Sequence, residues 1–147
     1  MDEQALQAVE ERIGYSFRDR RFLVEALSHS SQSDSRLASN ERLEFLGDAV
    51  LGLVVCETLF NRFPDYLEGD LTKIKSSVVS RRSCGHVGRQ LGLDECLIVG
   101  KGVTRNRSFP RSLVSDVFEA IVAAVYLDGG LEQARTFLRE CLADEVY

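Results

Sequence analysis

Three acidic residues lie at helical spacing in residues 40–48, which read Asn-Glu-Arg-Leu-Glu-Phe-Leu-Gly-Asp. Glu41, Glu44 and Asp48 stand at positions i, i+3 and i+7, so a helix places them on one face. Like charges at this spacing repel each other and destabilise a helix by roughly a few tenths of a kcal/mol per pair. A hard divalent cation takes oxygen ligands and cancels this repulsion. The spacing therefore predicts a metal site on this helix.

Asp116 and Glu119 form a second acidic pair, spaced i and i+3 in a segment that is otherwise almost entirely apolar. Two carboxylates inside such a helix are costly if they are buried without a partner. If the two acidic helices cross, four carboxylates converge, and each shifts toward its neutral form unless cations intervene. Octahedral Mg²⁺ with carboxylate, water and phosphate oxygens suits this chemistry, and two such ions would activate water and stabilise a leaving oxygen.

The alternative is that these acids are solvated helix faces, as most charged runs are. This alternative fits Glu41 better than it fits Asp116 and Glu119, because the latter pair is embedded among apolar residues. At Glu68 and Asp70 the residues alone favour a role at a helix start, where an acid interacts well with the helix dipole.

Helical periodicity dominates the chain and predicts the elements that position these acids. The predicted helices cover residues 3–13, 19–29, 40–62, 69–90, 113–127 and 131–143. Asp19 is a good N-cap, Gly14 and Gly92 end helices, and Pro64 limits the third one. Residues 30–36 and 99–112 are typical of loops. We expect one all-α domain over residues 1–147, with compact, bundle-like packing.

Composition is that of an ordinary globular protein, with 147 residues, 44% of them hydrophobic and 28% charged. The net charge of −5 by itself argues against nucleic-acid binding, although acids that hold metal contribute to that total. Four scattered cysteines without a Cys-x-x-Cys pair argue against structural zinc and favour reduced thiols. The N-terminus is acidic and the apolar runs are short, so we expect a cytoplasmic protein without a membrane partner.

Residues 40–49 resemble the signature of the ribonuclease III catalytic domain. Further segments of the chain match that family in order: Ala-Leu-Ser-His-Ser-Ser at 26–31, Leu-Glu-Gly-Asp-Leu-Thr at 67–72, Ser-Asp-Val-Phe-Glu-Ala at 115–120, and Ala-Val-Tyr-Leu-Asp-Gly-Gly at 124–130. The resemblance covers about residues 5–138.

The resemblance implies an all-α homodimer that cleaves double-stranded RNA with Mg²⁺, or with Mn²⁺ as a substitute. The expected products carry 5′-phosphate and 3′-hydroxyl ends with a short 3′ overhang, and the expected role is processing of rRNA and mRNA precursors. By their match to the family motif, the metal-binding acids are Glu44, Asp48, Asp116 and Glu119, with Asp48 and Glu119 catalytic.

Three further residues take their roles from the resemblance. Glu41 and Glu68 match acids placed near the RNA in the same cleft, and Phe45 matches the aromatic residue that enters a socket on the partner subunit. Without the resemblance, Phe45 would be interpreted as an ordinary core residue.

The common bacterial form of the family continues into a double-stranded-RNA-binding domain, whereas this sequence stops at Tyr147, so we expect a truncated form. Local basic side chains remain for the RNA backbone: Lys73, Lys75, Arg81, Arg82, Lys101, Arg105, Arg107 and Arg111. Of these, Lys73, Lys75, Arg105 and Arg107 are the candidate contacts, and each also fits a solubilising role. A-form RNA would be recognised by shape, phosphates and 2′-hydroxyls.

Three other protein classes share parts of this pattern. An all-α nucleotide pyrophosphohydrolase also uses Glu-x-x-Glu on helices, but here the second acidic pair lies much further along the chain. A di-iron bundle needs Glu-x-x-His pairs, and neither His29 nor His86 follows a glutamate at that spacing. A catalytically inactive ribonuclease III-like domain that binds double-stranded RNA is the remaining alternative; such domains typically lose acids at the metal positions, and this chain keeps them.

Overall fold

The computed structural model describes residues 2–29, 39–96 and 111–143, and for Arg111 the backbone only. These ranges contain seven α-helices and a short 3₁₀ turn at Leu93–Glu95, and they contain no β-strand. The helices are α1 (Glu3–Ile13), α2 (Arg20–Leu27), α3 (Glu41–Arg62), α4 (Glu68–Val78), α5 (Arg81–Gln90), α6 (Arg111–Gly129) and α7 (Leu131–Cys141). The all-α expectation is confirmed.

Helix α6 is the central element of the fold. It packs against α2, α3, α5 and α7. Its side chains from Val117 to Val125 are all buried, apart from a small exposed fraction of Glu119. A helix that is apolar on nearly every side belongs in a core, and the alanines among these residues allow neighbouring helices to approach closely. Glu119 is therefore held on the most buried of the helices that the structure describes.

The predicted helix ends are largely confirmed, because the local capping chemistry is the expected one. The Asp2 carboxylate accepts a hydrogen bond from the Ala5 N–H at 2.7 Å, and α1 ends at Gly14 with a φ of 74°. The Asp19 carboxylate caps α2 through the Arg21 N–H at 3.0 Å. Helix α3 ends at Arg62, two residues before Pro64.

The single helix predicted over residues 69–90 is wrong, since the structure has two helices there. Helix α4 ends at Val78, and Ser80 adopts an extended conformation with φ −63° and ψ 157°. The Ser80 hydroxyl accepts a hydrogen bond from the Ser83 N–H at 3.1 Å and so caps a new helix. Serine competes with the helical backbone in this way, and the break lets α5 begin at Arg81 beside α6.

Two glycines allow the close helix crossings around α6. A β-carbon on Gly47 of α3 would lie 2.6 Å from the carbonyl carbon of Glu119. One on Gly88 of α5 would lie 2.7 Å from a methyl carbon of Val114. Real β-carbons do not come this close to other atoms, so glycine is required for α3 and α5 to pack directly on α6.

The loop between α1 and α2 is tied to α6 through Asp128. Its carboxylate accepts hydrogen bonds from the Tyr15 hydroxyl at 2.6 Å and from the N–H groups of Arg18 and Asp19, each at 2.9 Å.

In the part of the chain that the structure describes, no helix is long and apolar enough to cross a membrane.

Candidate metal centre

The crossing of α3 and α6 brings the two acidic groups together. Glu44 and Asp48 lie one turn apart on α3, on either side of Gly47, and Asp116 and Glu119 lie one turn apart on α6. Acids of both helices line a cleft of about 630 Å³, whose lining residues are Glu41, Glu44, Phe45, Asp48, Ala49, Val79, Arg81 and Glu119. The sequence predicts that four carboxylates converge if the two acidic helices cross, and the structure shows that α3 and α6 do cross.

Glu44 is held in an environment that favours its protonated form. Partial burial raises the pKa of Glu44 to about 7, and the negative charge of Asp116 adds to this effect. A hydrogen-bond contact with the Asp116 carboxyl raises the pKa of Glu44 further. Glu44 therefore keeps its proton to a higher pH than an isolated glutamate does.

Glu119 is the most buried acid of the centre, with 9% of its surface exposed. Burial raises the pKa of Glu119 to about 7, with contributions from the charges of Asp48, Glu44 and Asp116. Behind it lies the fully buried thiol of Cys84. Burial raises the pKa of this thiol to about 12, and the charges of Glu119 and Asp48 add to that effect. This thiol is neutral and serves as packing.

Arg81 is the one cation among the residues that line the described cleft. Its Nη1 lies 3.0 Å from Oδ1 of Asp116. The charge of Arg81 lowers the pKa values of Glu44 and Glu119, but burial and the neighbouring acids raise them by more. Sequence reasoning places Arg81 among the basic residues of one long helix and misses this role. The sequence signal for this role is Ser80, whose tendency to cap a helix makes α5 begin at Arg81.

A metal ion fits the chemistry of these donors, which are the hard carboxylate oxygens that Mg²⁺ prefers. Within the described ranges, however, no group of three or more acidic, histidine or cysteine side chains has the geometry to hold a metal ion as it stands. Asp116 carries its ion pair with Arg81 instead. The residues fit a divalent cation in type and neighbourhood, and holding one requires their side chains to move.

The two other acids predicted from the family motif, Glu41 and Glu68, lie in different parts of the structure. Glu41 lines the cleft at the first residue of α3. Glu68 is exposed at the first residue of α4, beyond the opposite end of α3, and is not among the residues that line this cleft. The capping role near this helix start belongs to Asp70, whose carboxylate accepts a hydrogen bond from the Leu67 N–H at 3.2 Å.

Phe45 is 82% exposed, so the interpretation as a core residue, which its sequence context alone suggested, is wrong. It lies between the acidic cleft and a second cavity of about 560 Å³, which is lined by Glu25, Glu41, Arg42, Leu43, Phe45, Leu46 and Leu127. Leu53 of the same helix is also about half exposed. Helix α3 thus presents apolar side chains to solvent.

Other predicted residues fall on the surface or outside the described ranges. Lys73 is exposed and Lys75 is partly buried, both on α4. Lys101, Arg105, Arg107, the side chain of Arg111 and the predicted loop at 30–36 lie outside the described residues. All four cysteines are free thiols, as expected, and His86 is exposed on α5.

Comparison with known proteins decides the family. A family model described as ribonuclease-III-like matches residues 19–146. The chain belongs to the ribonuclease-III-like family. Ribonuclease 3 of Rhodopirellula baltica is 66% identical to it over 141 residues, which cover 96% of this chain and 53% of that protein. Ribonuclease 3 of Symbiobacterium thermophilum is 47% identical over 133 residues, covering 88% of this chain and 57% of that protein.

The fold agrees with this family. A solved structure of the nuclease domain of ribonuclease III from Campylobacter jejuni matches with a TM-score of 0.89 at 36% identity, covering 95% of this chain and 97% of that one. In that nuclease domain, a region involved in dimer formation shows structural flexibility. The chain spans about half the length of the ribonuclease 3 relatives that it matches.

Proposed function

We propose that this chain is the catalytic part of an endoribonuclease that hydrolyses phosphodiester bonds of double-stranded RNA with Mg²⁺, for which Mn²⁺ can substitute. Its products carry 5′-phosphate and 3′-hydroxyl ends with a short 3′ overhang, and it processes rRNA and mRNA precursors in the cytoplasm. The observation that carries the proposal is the convergence of Glu44, Asp48 and Glu119 with Asp116 at the crossing of α3 and α6, in a chain of the ribonuclease-III-like family.

The proposed roles follow from the position of each acid. Glu44, Asp48, Asp116 and Glu119 hold the metal; when bound there, Mg²⁺ supplies an activated water and stabilises the leaving oxygen. Asp48 is exposed at the rim, where RNA would approach, whereas Glu119 is buried on the rigid central helix. Burial of Glu119 keeps bulk water away from one side of the centre and strengthens electrostatic interactions there.

Glu41 lies at the open side of the cleft and is proposed to contact RNA from there. Glu41 and Glu68 lie near opposite ends of α3, a helix of 22 residues that is roughly 33 Å long. They do not share one cleft within a single chain. If both acids line one RNA-binding cleft, they come from two copies of the chain, which agrees with the proposed homodimer.

The test of catalysis compares the wild type with Glu119→Gln on a long RNA duplex in Mg²⁺ and in Ca²⁺. We expect cutting by the wild type in Mg²⁺ only, and a loss of at least about 100-fold in Glu119→Gln, because a metal-binding acid is removed. Glu11→Gln on the exposed side of α1 is the matched control and should cut as the wild type does.

Equal cutting by wild type and Glu119→Gln would overturn the role of Glu119. Duplex binding without any cutting by the wild type would favour the alternative, an inactive domain that binds RNA. Product ends are read by labelling with a kinase before and after phosphatase treatment, since a 5′-phosphate blocks direct labelling.

The homodimer is supported by the surface around Phe45. An 82% exposed phenylalanine is costly in water, and the adjacent cavity is walled by Leu43, Leu46 and Leu127. Because a protruding side chain and a cavity lie side by side on one chain, a two-fold axis can place each Phe45 in the cavity of the other copy.

The RNA backbone is proposed to contact four basic side chains: Lys73 and Lys75 of α4, and Arg105 and Arg107 from residues 99–112.

Sedimentation tests the dimer. We expect a dimer at micromolar concentration for the wild type and a monomer for Phe45→Glu, which would bury an unpaired charge in the interface. Ala8→Glu, on the exposed face of α1, adds the same charge elsewhere and should remain dimeric. A monomeric wild type, or a dimeric Phe45→Glu, would contradict the proposed contact.

A further inference from the structure

Arg81 and Asp116 form the ion pair that occupies the acidic centre. The guanidinium Nη1 and the carboxylate Oδ1 lie 3.0 Å apart, and Arg81 lines the cleft together with Glu44, Asp48 and Glu119. Its side chain is 63% exposed, so it is held by this pair rather than by packing. An exposed arginine of this kind can swing away from its partner at low cost.

The geometry makes Arg81 and a divalent cation alternatives for the same carboxylate. Asp116 accepts from Arg81 in this arrangement, and no three metal-binding groups within the described ranges are arranged around one point. A cation in the centre needs the Asp116 oxygens, and its charge would repel the guanidinium. Both cations neutralise the same set of acids, but only one of them can do so at a time.

We propose that Arg81 is the internal counter-ion of the metal-free centre and that it competes with the divalent cation for Asp116, thereby setting the metal affinity of the site. This inference rests on the proposed metal-dependent function. Arg81 acts through Asp116, so it is a positioning residue rather than a catalytic one. Release of Asp116 on metal loading frees the guanidinium at the rim of the cleft.

The test measures Mn²⁺ binding to the chain without RNA, from the electron paramagnetic resonance signal of unbound Mn²⁺. We expect Arg81→Gln to bind Mn²⁺ about fivefold more tightly than the wild type, because an exposed ion pair of about 1 kcal/mol no longer has to be broken. Arg81→Lys keeps the charge and should lie between the two.

Arg82→Gln is the matched control. It changes the net charge by the same amount at the next residue, but Arg82 is exposed and lines a different groove, with Ser77, Ser80, Ser83, His86 and Arg89. Its Mn²⁺ affinity should stay within about twofold of the wild type. If Arg81→Gln binds Mn²⁺ no more tightly than Arg82→Gln, the proposal for Arg81 is overturned.

A second readout is thermal unfolding in EDTA and in Ca²⁺. Without its counter-ion the metal-free centre is less stable, so Arg81→Gln should unfold at a lower temperature than Arg82→Gln in EDTA and gain more from Ca²⁺. Equal gains would contradict competition. Glu119→Gln separates the two proposals. If neither this variant nor the wild type binds Mn²⁺, the metal-dependent function itself fails. A loss of Mn²⁺ binding confined to Glu119→Gln supports that function, whatever Arg81→Gln does.

Discussion

Gly47 of α3 and Glu119 of α6 are in backbone contact at the point where the two acidic helices cross. A β-carbon on Gly47 would lie 2.6 Å from the carbonyl carbon of Glu119 and closer still to its oxygen, and 3.3 Å from the Ala123 nitrogen. Glu44 and Asp48 flank Gly47 by one turn and one residue. The acids of α3 can approach those of α6 because the residue between them has no side chain.

Gly47→Ala should therefore damage both the fold and the centre. Because the added methyl group meets backbone atoms, which cannot rotate away, we expect a loss of about 2–4 kcal/mol in the free energy of unfolding, together with weaker Mn²⁺ binding. Urea unfolding measures the first effect. Gly69→Ala is the control, since nothing lies within 4 Å of its β-carbon position in the first turn of α4, and it should be neutral or stabilising. Similar unfolding midpoints for the two variants would contradict the close crossing.

Glu119→Gln should stabilise the metal-free protein at pH 8. In the folded state burial and neighbouring acids raise the pKa of Glu119 to about 7, from 4.5 for an isolated glutamate. The unfolded state thus loses this proton at lower pH than the folded state, so the stability from this group falls as pH rises from about 4.5 to about 7. We expect a gain of about 1–3 kcal/mol at pH 8 in EDTA and almost none at pH 4. A Glu119→Gln protein that is less stable than the Glu11→Gln control at pH 8 would show that the charge of Glu119 does not destabilise the folded state.

Divalent-cation binding should strengthen with pH because protons and metal compete for the same oxygens. Glu44 and Glu119 each have a pKa raised to about 7, mainly by burial, and both must lose their protons to bind metal. Mn²⁺ affinity should rise by roughly tenfold per pH unit for each proton released from pH 5.5 toward the pKa of about 7, and level off by pH 8. Titrations of Glu44→Gln should show a shallower slope, because one of the two protons is missing. A pH-independent affinity would argue against these two carboxyls as ligands.

Much of this fold follows from the sequence because local signals agree with the tertiary structure. Asp2, Asp19 and Gly14 cap or end helices as their types predict, and the uninterrupted apolar segment around Ile121 becomes the central helix. The break at Ser80 escapes prediction because a helix-compatible pattern runs through it on both sides. Only the local competition of the serine hydroxyl with the backbone decides that break.

The candidate site is less predictable than the helices that carry it. The spacing of Glu44, Asp48 and Glu119 predicts acidic faces, but it does not say which residue lets those faces meet, and Gly47 gives no signal of its own. The pairing of Arg81 with Asp116 depends on where α5 begins and how it packs on α6. Such contacts join residues 35 positions apart, so they are properties of the tertiary structure and not of any local pattern.

Ser115→Ala tests a buried polar group next to the acidic centre. Among the described residues, the Ser115 hydroxyl is buried without a hydrogen-bond partner. Removing an unsatisfied buried hydroxyl, in a helix that favours alanine, should leave stability unchanged or raise it by up to about 1 kcal/mol. Ser80→Ala is the contrast, because loss of the α5 cap should cost about 1 kcal/mol. A clear loss of stability in Ser115→Ala, measured by thermal unfolding, would mean that this hydroxyl has a partner in solution.

Asp128→Asn should weaken the attachment of the α1–α2 loop to α6. Burial alone would raise the pKa of Asp128, but hydrogen bonds from Tyr15 and from the N–H groups of Arg18 and Asp19 outweigh it and lower the pKa below 3.8. The charged carboxylate therefore contributes stability above pH 3.8, and this contribution is lost as the pH falls through the lower folded value. We expect Asp128→Asn to cost about 2–3 kcal/mol at pH 7, because three donors lose a charged acceptor, and to cost less below pH 4.

Tyr15→Phe removes one of these three donors and should cost about 1 kcal/mol at pH 7. Asp65→Asn, an exposed acid in the turn before α4, should change stability by less than about 0.5 kcal/mol. Urea unfolding at pH 7 and pH 4 distinguishes the three variants. If Asp128→Asn follows Asp65→Asn at both pH values, the loop is held by the packing of Phe17 and its neighbours rather than by the Asp128 carboxylate.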